Sequence, residues 1–518
     1  MSKTARRVLL PTIDEKSSTG EKSKVIADWL STNPNLRFYA EDIRNVPLFM
    51  YDPSTGIWHD KGTHFITKMC EEILGNRFQN HVATEVVIRI CARSFHGTTP
   101  RLNLLGGPPN KIVCLNGVVD LDTGELEPFD PDGHHLSQIP VTYDPKEDCP
   151  RIKKFFQEVL LEKDLDAAEE LFGYCLTKTY KYPIITVLVG AGRNGKTTFL
   201  TLLTSLLGRQ NVSAVSLFDL MNDRFALENL HGKLANIPED LQNAPIKDAG
   251  ILKKITGMSL VRAQRKYFQP FDFYNFAKVI FACNNAPEIE ENTDAIWGRI
   301  VVLEFPHKFP KGDPKTDPDI LDKMTTPEEL SGLLNIAIEG YRRLVKNGGL
   351  FTNAKGLEES HEDYLEHSST TTFFIKKFLA YNSGAEPIAK RDVYEMYIQC
   401  CGIKMNTPED RKTFGGALRR AFPNLTDTQR TIKEKKIEHY VGLEVHLADL
   451  RLYLQNGTPS EPSTPSPIPL ASLVEKVEEG REDGLPALPA FPEPKEEAIP
   501  KDDLSRGDFP EDDLSREE

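Results

Sequence analysis

The stretch Gly190-Ala191-Gly192-Arg193-Asn194-Gly195-Lys196-Thr197-Thr198 carries the densest chemistry in the chain. Its spacing satisfies G-x-x-x-x-G-K-[ST], in which glycines let successive backbone N–H groups wrap a phosphate at a helix N-terminus. A lysine at this spacing reaches the β- and γ-phosphates, and the hydroxyl after it ligates magnesium. Lys196 and Thr197 are those two residues, and all of 190–198 are candidate ATP contacts. The neighbourhood has the right form. Residues 184–189 are a short β-branched run fit for a buried strand, and 198–207 show the apolar face of a helix.

Three further positions have types that suit phosphate chemistry. Glu239-Asp240 follows the apolar run 233–238; carboxylates at a strand tip hold a metal through water and take a proton from an attacking water. The same pair also suits a helix cap. Asn284 closes the apolar run 277–283, where an amide orients the lytic water; before Asn285-Ala-Pro287 it also reads as a turn former. Arg299 opens the run 300–305. A guanidinium supplied across a subunit boundary neutralises charge on a transferred phosphoryl group, and an ordinary surface arginine is the other reading.

These residues need a scaffold, and the remaining text supplies one. At 518 residues the chain exceeds one core's worth and predicts two to four folded units. Residues 1–24 are a polar lead-in. Residues 25–150 mix helical patterns at 25–30, 65–74 and 84–95 with short strands from Lys111, turning at Asn116-Gly117 and Asp122-Thr-Gly124. From 151 to 310 helix and strand alternate, which predicts a three-layer α/β unit. Residues 311–372 are helical, clearest over 328–345, and 373–450 form a small basic and apolar unit. The rest, 451–518, reads as a disordered tail. Residues 456–518 hold 11 prolines and 17 acidic against 6 basic side chains, so most of the net charge of −14 sits there. The folded part is nearly neutral, and nucleic-acid binding needs only a local basic track.

No run reaches the roughly 18–20 apolar residues of a membrane span, and Met1 to Arg7 lead into no secretion signal. Eight scattered cysteines form no Cys-x-x-Cys pair, which suits a reducing cytoplasm rather than a disulfide framework or zinc site.

Read in order, these elements resemble a superfamily III helicase of the phage and plasmid primase–helicase group, with the poxvirus-type replicative NTPases. The likeness spans about residues 35–445. Asn116-Gly-Val-Val-Asp-Leu-Asp-Thr-Gly-Glu-Leu126 resembles the hallmark of the domain that precedes the ATPase in that group. The loop 190–198, Glu239-Asp240 and Asn284 match its phosphate loop, acidic pair and sensor. The segment 252–271 resembles the stretch that carries a DNA-tracking hairpin, and by that likeness Arg265, Lys266 and Tyr267 lie at its tip. Charge for phosphate and a ring for base or sugar are what a pore needs, although a solvated charged turn has the same composition. Residues 389–447 resemble the group's winged helix. They would offer Arg419 and Arg420 on one helix and Lys433, Lys435 and Lys436 on the wing, or else a protein-docking surface.

The resemblance implies a P-loop AAA+-like α/β core, preceded by a mixed α+β domain and followed by a helical segment and a winged helix. It implies an ATP- and magnesium-dependent DNA helicase, working as a homo-oligomeric ring, with six subunits, on single-stranded or forked DNA in the cytoplasm. The chain departs from the group in two places. Relatives have two arginines after the tryptophan where this chain has Trp297-Gly298-Arg299, so only Arg299 takes the finger role. Fewer than 40 residues precede the likeness, so a primase domain is not expected here and a separate primase or polymerase becomes the partner. An ATP-dependent initiator or loader without unwinding, an RNA-directed relative and another type of P-loop NTPase remain the alternatives.

Overall fold

Short β-branched runs bury both faces best in a parallel sheet covered by helices, and the four apolar runs around the phosphate loop do so. The computed structural model describes residues 10–14, 16–40, 48–94, 106–190, 192–238, 246, 249–264, 266, 270–284, 286–287, 289, 294–310, 312, 316–403, 408–432 and 435–456. Within them, five parallel strands lie in the spatial order Ile300–Glu304, Ile185–Val189, Lys278–Cys283, Ala235–Asn236, Val212–Ser213. The chain is thus a mixed α/β protein built around a parallel sheet. Pleating sends alternate side chains to opposite faces. Ile185, Val187 and Val189 join one apolar core while Leu188 joins the other.

The first core lies beneath Pro150–Val159, Leu165–Cys175, Lys196–Leu207 and Pro327–Lys346. Two of these helices cross at glycines: a Cβ on Gly173 would sit 2.0 Å from the Ala337 carbonyl oxygen, and one on Gly340 2.5 Å from that of Glu169. Arg343 then reaches Glu170, at 2.9 Å, and Glu169, at 3.0 Å, across the crossing. The second core packs Leu217–Asn222, Gly250–Ile255 and Asp294–Trp297 on the opposite face. Lys278, buried where its strand begins, donates to the carbonyls of Thr177 at 2.5 Å and Phe276 at 3.0 Å. Burial pushes its ammonium down to about 7.

The N-terminal part has helices Thr19–Thr32, Gly62–Leu74 and Asn80–Arg93 around a separate apolar cluster. The antiparallel sheet Lys111–Cys114, Gly117–Asp120, Leu126–Glu127 behaves differently. Ile112, Cys114, Val119, Leu121, Ile139 and Val141 belong to the same core as the phosphate-loop helix. Asn211 Nδ2 donates to Gln138 O at 2.8 Å and Arg342 Nε to Leu121 O at 3.0 Å, pinning that sheet down. The apolar interior therefore does not divide at residue 150, and Met324 to Phe351 also belong to it.

The C-terminal unit packs helices Thr370–Phe378, Lys390–Ile403 and Arg411–Ala421 with the sheet Ile388–Ala389, Lys435–Val441, Thr426–Ile432. Helix Leu357–Ser368 joins it to the sheet's second face. Among the described residues, no helix is long and apolar enough to cross a membrane. All eight cysteines are buried.

Candidate functional site

The glycine-rich loop 190–198 begins where Val189 ends its strand. Arg193 and Gly195 adopt positive φ of 62° and 90°, which curls the backbone back on itself. Gly195 is the N-cap of Lys196–Leu207 and supplies no side-chain acceptor to the first turn. A Cβ there would press to 2.8 Å from Val159 Cγ1, so glycine answers both the backbone angle and the packing. Asn194 is 2% exposed and latches the loop to the edge strand, with Nδ2 donating to Phe305 O at 3.0 Å. Gly192 and Thr197 are exposed, Thr198 is half-buried, and Ala191 lies outside the described residues.

Lys196 is 8% exposed. Its ammonium donates to Gly190 O, to Asn194 Oδ1 at 3.0 Å and to Asn284 Oδ1 at 3.4 Å. Burial holds its pKa below the ordinary lysine value. The cation is already stripped of much of its water and held by neutral oxygens, which a charged phosphate outcompetes.

Asn284 comes to the lysine through the sheet order. Cys283 is in register with Val189, so the residues following these two strands, Asn284 and Gly190, emerge side by side. Glu239 and Asp240, expected after the run 233–238, lie outside the described residues. The strand leading to them is held by Asn236, whose Oδ1 accepts from Ser213 Oγ at 2.8 Å and Val215 N at 2.9 Å.

Arg299 lies at the other end of the sheet. Ile300 is in register with Ile185 and Glu304 with Val189. Arg299 thus sits six strand positions from the level of Gly190, or about 20 Å at roughly 3.3 Å each. One side chain does not bridge that distance. Its Nη1 donates to Ala295 O, and its Nε is buried without a hydrogen-bond partner.

The segment 252–271 places an antiparallel hairpin on the second core, with Leu260–Ala263 paired to Phe271–Tyr274. Val261, Ala263 and Phe273 point inward, and Lys266 is exposed in the connection. Arg265 and Tyr267 lie outside the described residues, as does Lys433. Lys435 opens the strand Lys435–Val441, and Lys436, opposite Thr431, is exposed. Arg420 is exposed too, whereas Arg419 is paired at 2.8 Å with Asp427, itself bound by Lys390.

Sequence reasoning passed over Phe305, Asn236, and the Glu304–His367 pair, which meets at 2.9 Å on the edge strand's phosphate-loop end. None has a local signal, because each acts through a partner distant in sequence.

Residues 36–161 match a family described as D5 N terminal like, and residues 188–299 match one described as of unknown function. A protein of Acanthamoeba polyphaga mimivirus named as a candidate helicase is 24% identical over 365 residues, covering 64% of this chain and 36% of that protein. One from Invertebrate iridescent virus 6, also named as a candidate helicase, is 24% identical over 221 residues, 38% of this chain and 22% of that protein. The chain spans well under half the length of either. Two apo structures of the NrS-1 C-terminal region align with 80% and 82% of this chain and 98% and 99% of theirs. Identity is 13% for both, and the TM-scores are 0.43 and 0.44. The sequence matches make the chain similar to viral proteins named as candidate helicases.

Proposed function

We propose that this chain is an ATP-hydrolysing DNA helicase in which identical subunits form a ring and share one nucleotide site at each boundary. The observation that carries the proposal is the position of Lys196 and Arg299 at opposite ends of one sheet. A motor needs each subunit to offer a cradle on one side and a trigger on the other. The reading as a P-loop AAA+-like superfamily III core is supported by the strand order, since the strand inserted beside the phosphate-loop strand brings Asn284 to Lys196. The viral relatives named as helicases point the same way.

In this mechanism an incoming triphosphate draws the Lys196 ammonium away from Gly190, Asn194 and Asn284 onto its β and γ oxygens. The Asn284 amide is released and holds the attacking water. The exposed Thr197 hydroxyl would ligate the magnesium that arrives with ATP as substrate. Glu239 and Asp240 would complete that shell and take the water's proton. The water oxygen bonds to the γ-phosphorus as the bond to the β–γ bridging oxygen breaks. The neighbouring subunit's Arg299 neutralises the charge that grows there. Contacts with the DNA backbone fall to Lys266, with Arg265 and Tyr267, on the hairpin, and to Arg419, Arg420, Lys433, Lys435 and Lys436 in a winged-helix-like C-terminal unit.

The test is strand separation on forked DNA, with and without ATP, beside Lys196→Ala and a sizing measurement with both ligands present. The expected result is ATP-dependent unwinding by an oligomer, lost in the variant. A chain that stays monomeric and hydrolyses at full rate would overturn the shared site. ATP-dependent DNA binding without strand separation would make it a loader instead.

A further inference from the structure

Helix Leu357–Ser368 touches both halves of the shared site. At its start, Leu357 packs on Gly298, where an added Cβ would lie 3.2 Å from Leu357 Cδ2. One turn on, His361 stacks on Trp297 at 4.2 Å between ring centres and 25° between planes. These contacts grip the residues just before Arg299. At its far end the helix grips the strap after Asn284: Tyr364, 2% exposed, donates its hydroxyl to Pro287 O at 2.6 Å, and Ala286 N donates to His367 O at 3.0 Å. His367 also meets Glu304 at 2.9 Å.

The lengths agree. Twelve helical residues span about 18 Å, close to the roughly 20 Å of sheet depth between Arg299 and the phosphate loop. The helix runs alongside the edge strand as a strut. Its other face belongs to the C-terminal unit, since Leu365 lies in that unit's core and Tyr453 donates to Glu366. Ser369 caps the next helix at once, its hydroxyl accepting from Thr372 N at 3.2 Å, so little slack separates the strut from that unit.

We infer that this strut transmits nucleotide occupancy sensed at Asn284 to Arg299, which serves the next subunit, with Tyr364 and His361 as positioning residues. The inference rests on the shared-site reading above. When a phosphate takes Lys196 from Asn284, Ala286 and Pro287 shift, and Tyr364 carries the shift along the helix to Trp297 and the finger. Each site then prepares its neighbour's, and the C-terminal unit moves with it.

The experiment measures ATPase rate against ATP concentration, with and without single-stranded DNA, for the full chain and for Tyr364→Phe, His361→Ala and His361→Phe. Tyr364→Phe deletes one hydroxyl and leaves the ring. Its turnover should fall by about tenfold, the worth of one buried hydrogen bond. Its affinity for a fluorescent ATP analogue should stay within about threefold, with the Hill coefficient falling toward one. His361→Ala should behave alike, and His361→Phe, which keeps a ring on Trp297, should recover. The inference is overturned if both uncoupling variants keep wild-type turnover and cooperativity. It is equally overturned if His361→Phe fails with His361→Ala while turnover, nucleotide affinity and melting temperature decline together. The shared-site reading fails separately if Arg299→Ala, with Tyr364 and His361 unaltered, retains full activity.

Discussion

Mixing Lys196→Ala subunits with Arg299→Ala subunits should restore hydrolysis that neither performs alone. The parallel register sets Arg299 about 20 Å from its own loop 190–198, so under the proposed shared site each subunit would contribute its cradle to one boundary and its guanidinium to the other. Loss of the finger alone should lower turnover by about 10³–10⁵, and loss of the lysine removes the phosphate contact itself. In an equimolar mixture, a boundary is intact when an Arg299→Ala subunit supplies the cradle and a Lys196→Ala subunit the finger. Chance gives that arrangement at about one boundary in four, given head-to-tail contacts around a closed ring. DNA-stimulated phosphate release should therefore climb toward about a quarter of the wild-type rate, peak at equal proportions and fall symmetrically on either side. Subunit exchange is checked by retaining tagged subunits and detecting untagged ones. If mixed rings form and release no more phosphate than the two variants measured apart, Arg299 does not act across a boundary.

Acid should weaken the fold through His135. It is 2% exposed, with its ring 3.1 Å from the Lys178 ammonium, and burial foremost, then Lys178, pushes its pKa down to about 3. The unfolded chain thus takes up a proton between the ordinary histidine value and about 3 while the folded chain does not, and stability falls as pH drops through that window. The slope is up to about 1.4 kcal/mol per pH unit; urea midpoints at pH 7 and 5 should converge in His135→Gln, and an unchanged gap would refute the assignment. Gly173→Ala should cost about 1–3 kcal/mol by forcing two helices apart, read as a melting-temperature drop of several degrees; an unshifted melt would mean the crossing adjusts freely. Arg419→Ala should hardly alter stability, because its pair with Asp427 is half exposed. It should instead lower the slope of log affinity for DNA against log salt by about one; an unaltered slope would remove Arg419 from the DNA surface.

Much of the frame is readable locally. The expected helix over 328–345 runs Pro327–Lys346, and the phosphate-loop helix starts at Lys196 rather than at the expected residue 198. Periodicity and glycine spacing are short-range signals, and they report short-range structure. The order of strands is a different matter. Nothing in residues 185–189, 278–283 or 300–304 announces that the first lies between the other two, because pairing partners are chosen by burial across the whole fold. The meeting of Asn284 with Lys196, and the distance from Lys196 to Arg299, follow from that order alone. Asn194 was legible as a loop residue, but its latch on Phe305 was not. Tyr364 and His361 look like ordinary members of an amphipathic helix until the strap and Trp297 are seen beside them. Glu239, Asp240, Arg265, Tyr267 and Lys433 lie outside the described residues.

The small antiparallel sheet at residues 111–127 has a practical consequence for dissecting this chain. Ile112, Cys114, Val119 and Leu121 belong to the same apolar core as Leu203 and Leu207. A fragment cut at residue 151, where proline and charge invite a boundary, would leave that core open to water and tend to aggregate. The smallest excisable unit that keeps the parallel sheet's first core closed must begin upstream of residue 111. The region that looks like a separable accessory in the sequence must be transplanted together with the parallel-sheet unit whose core it closes.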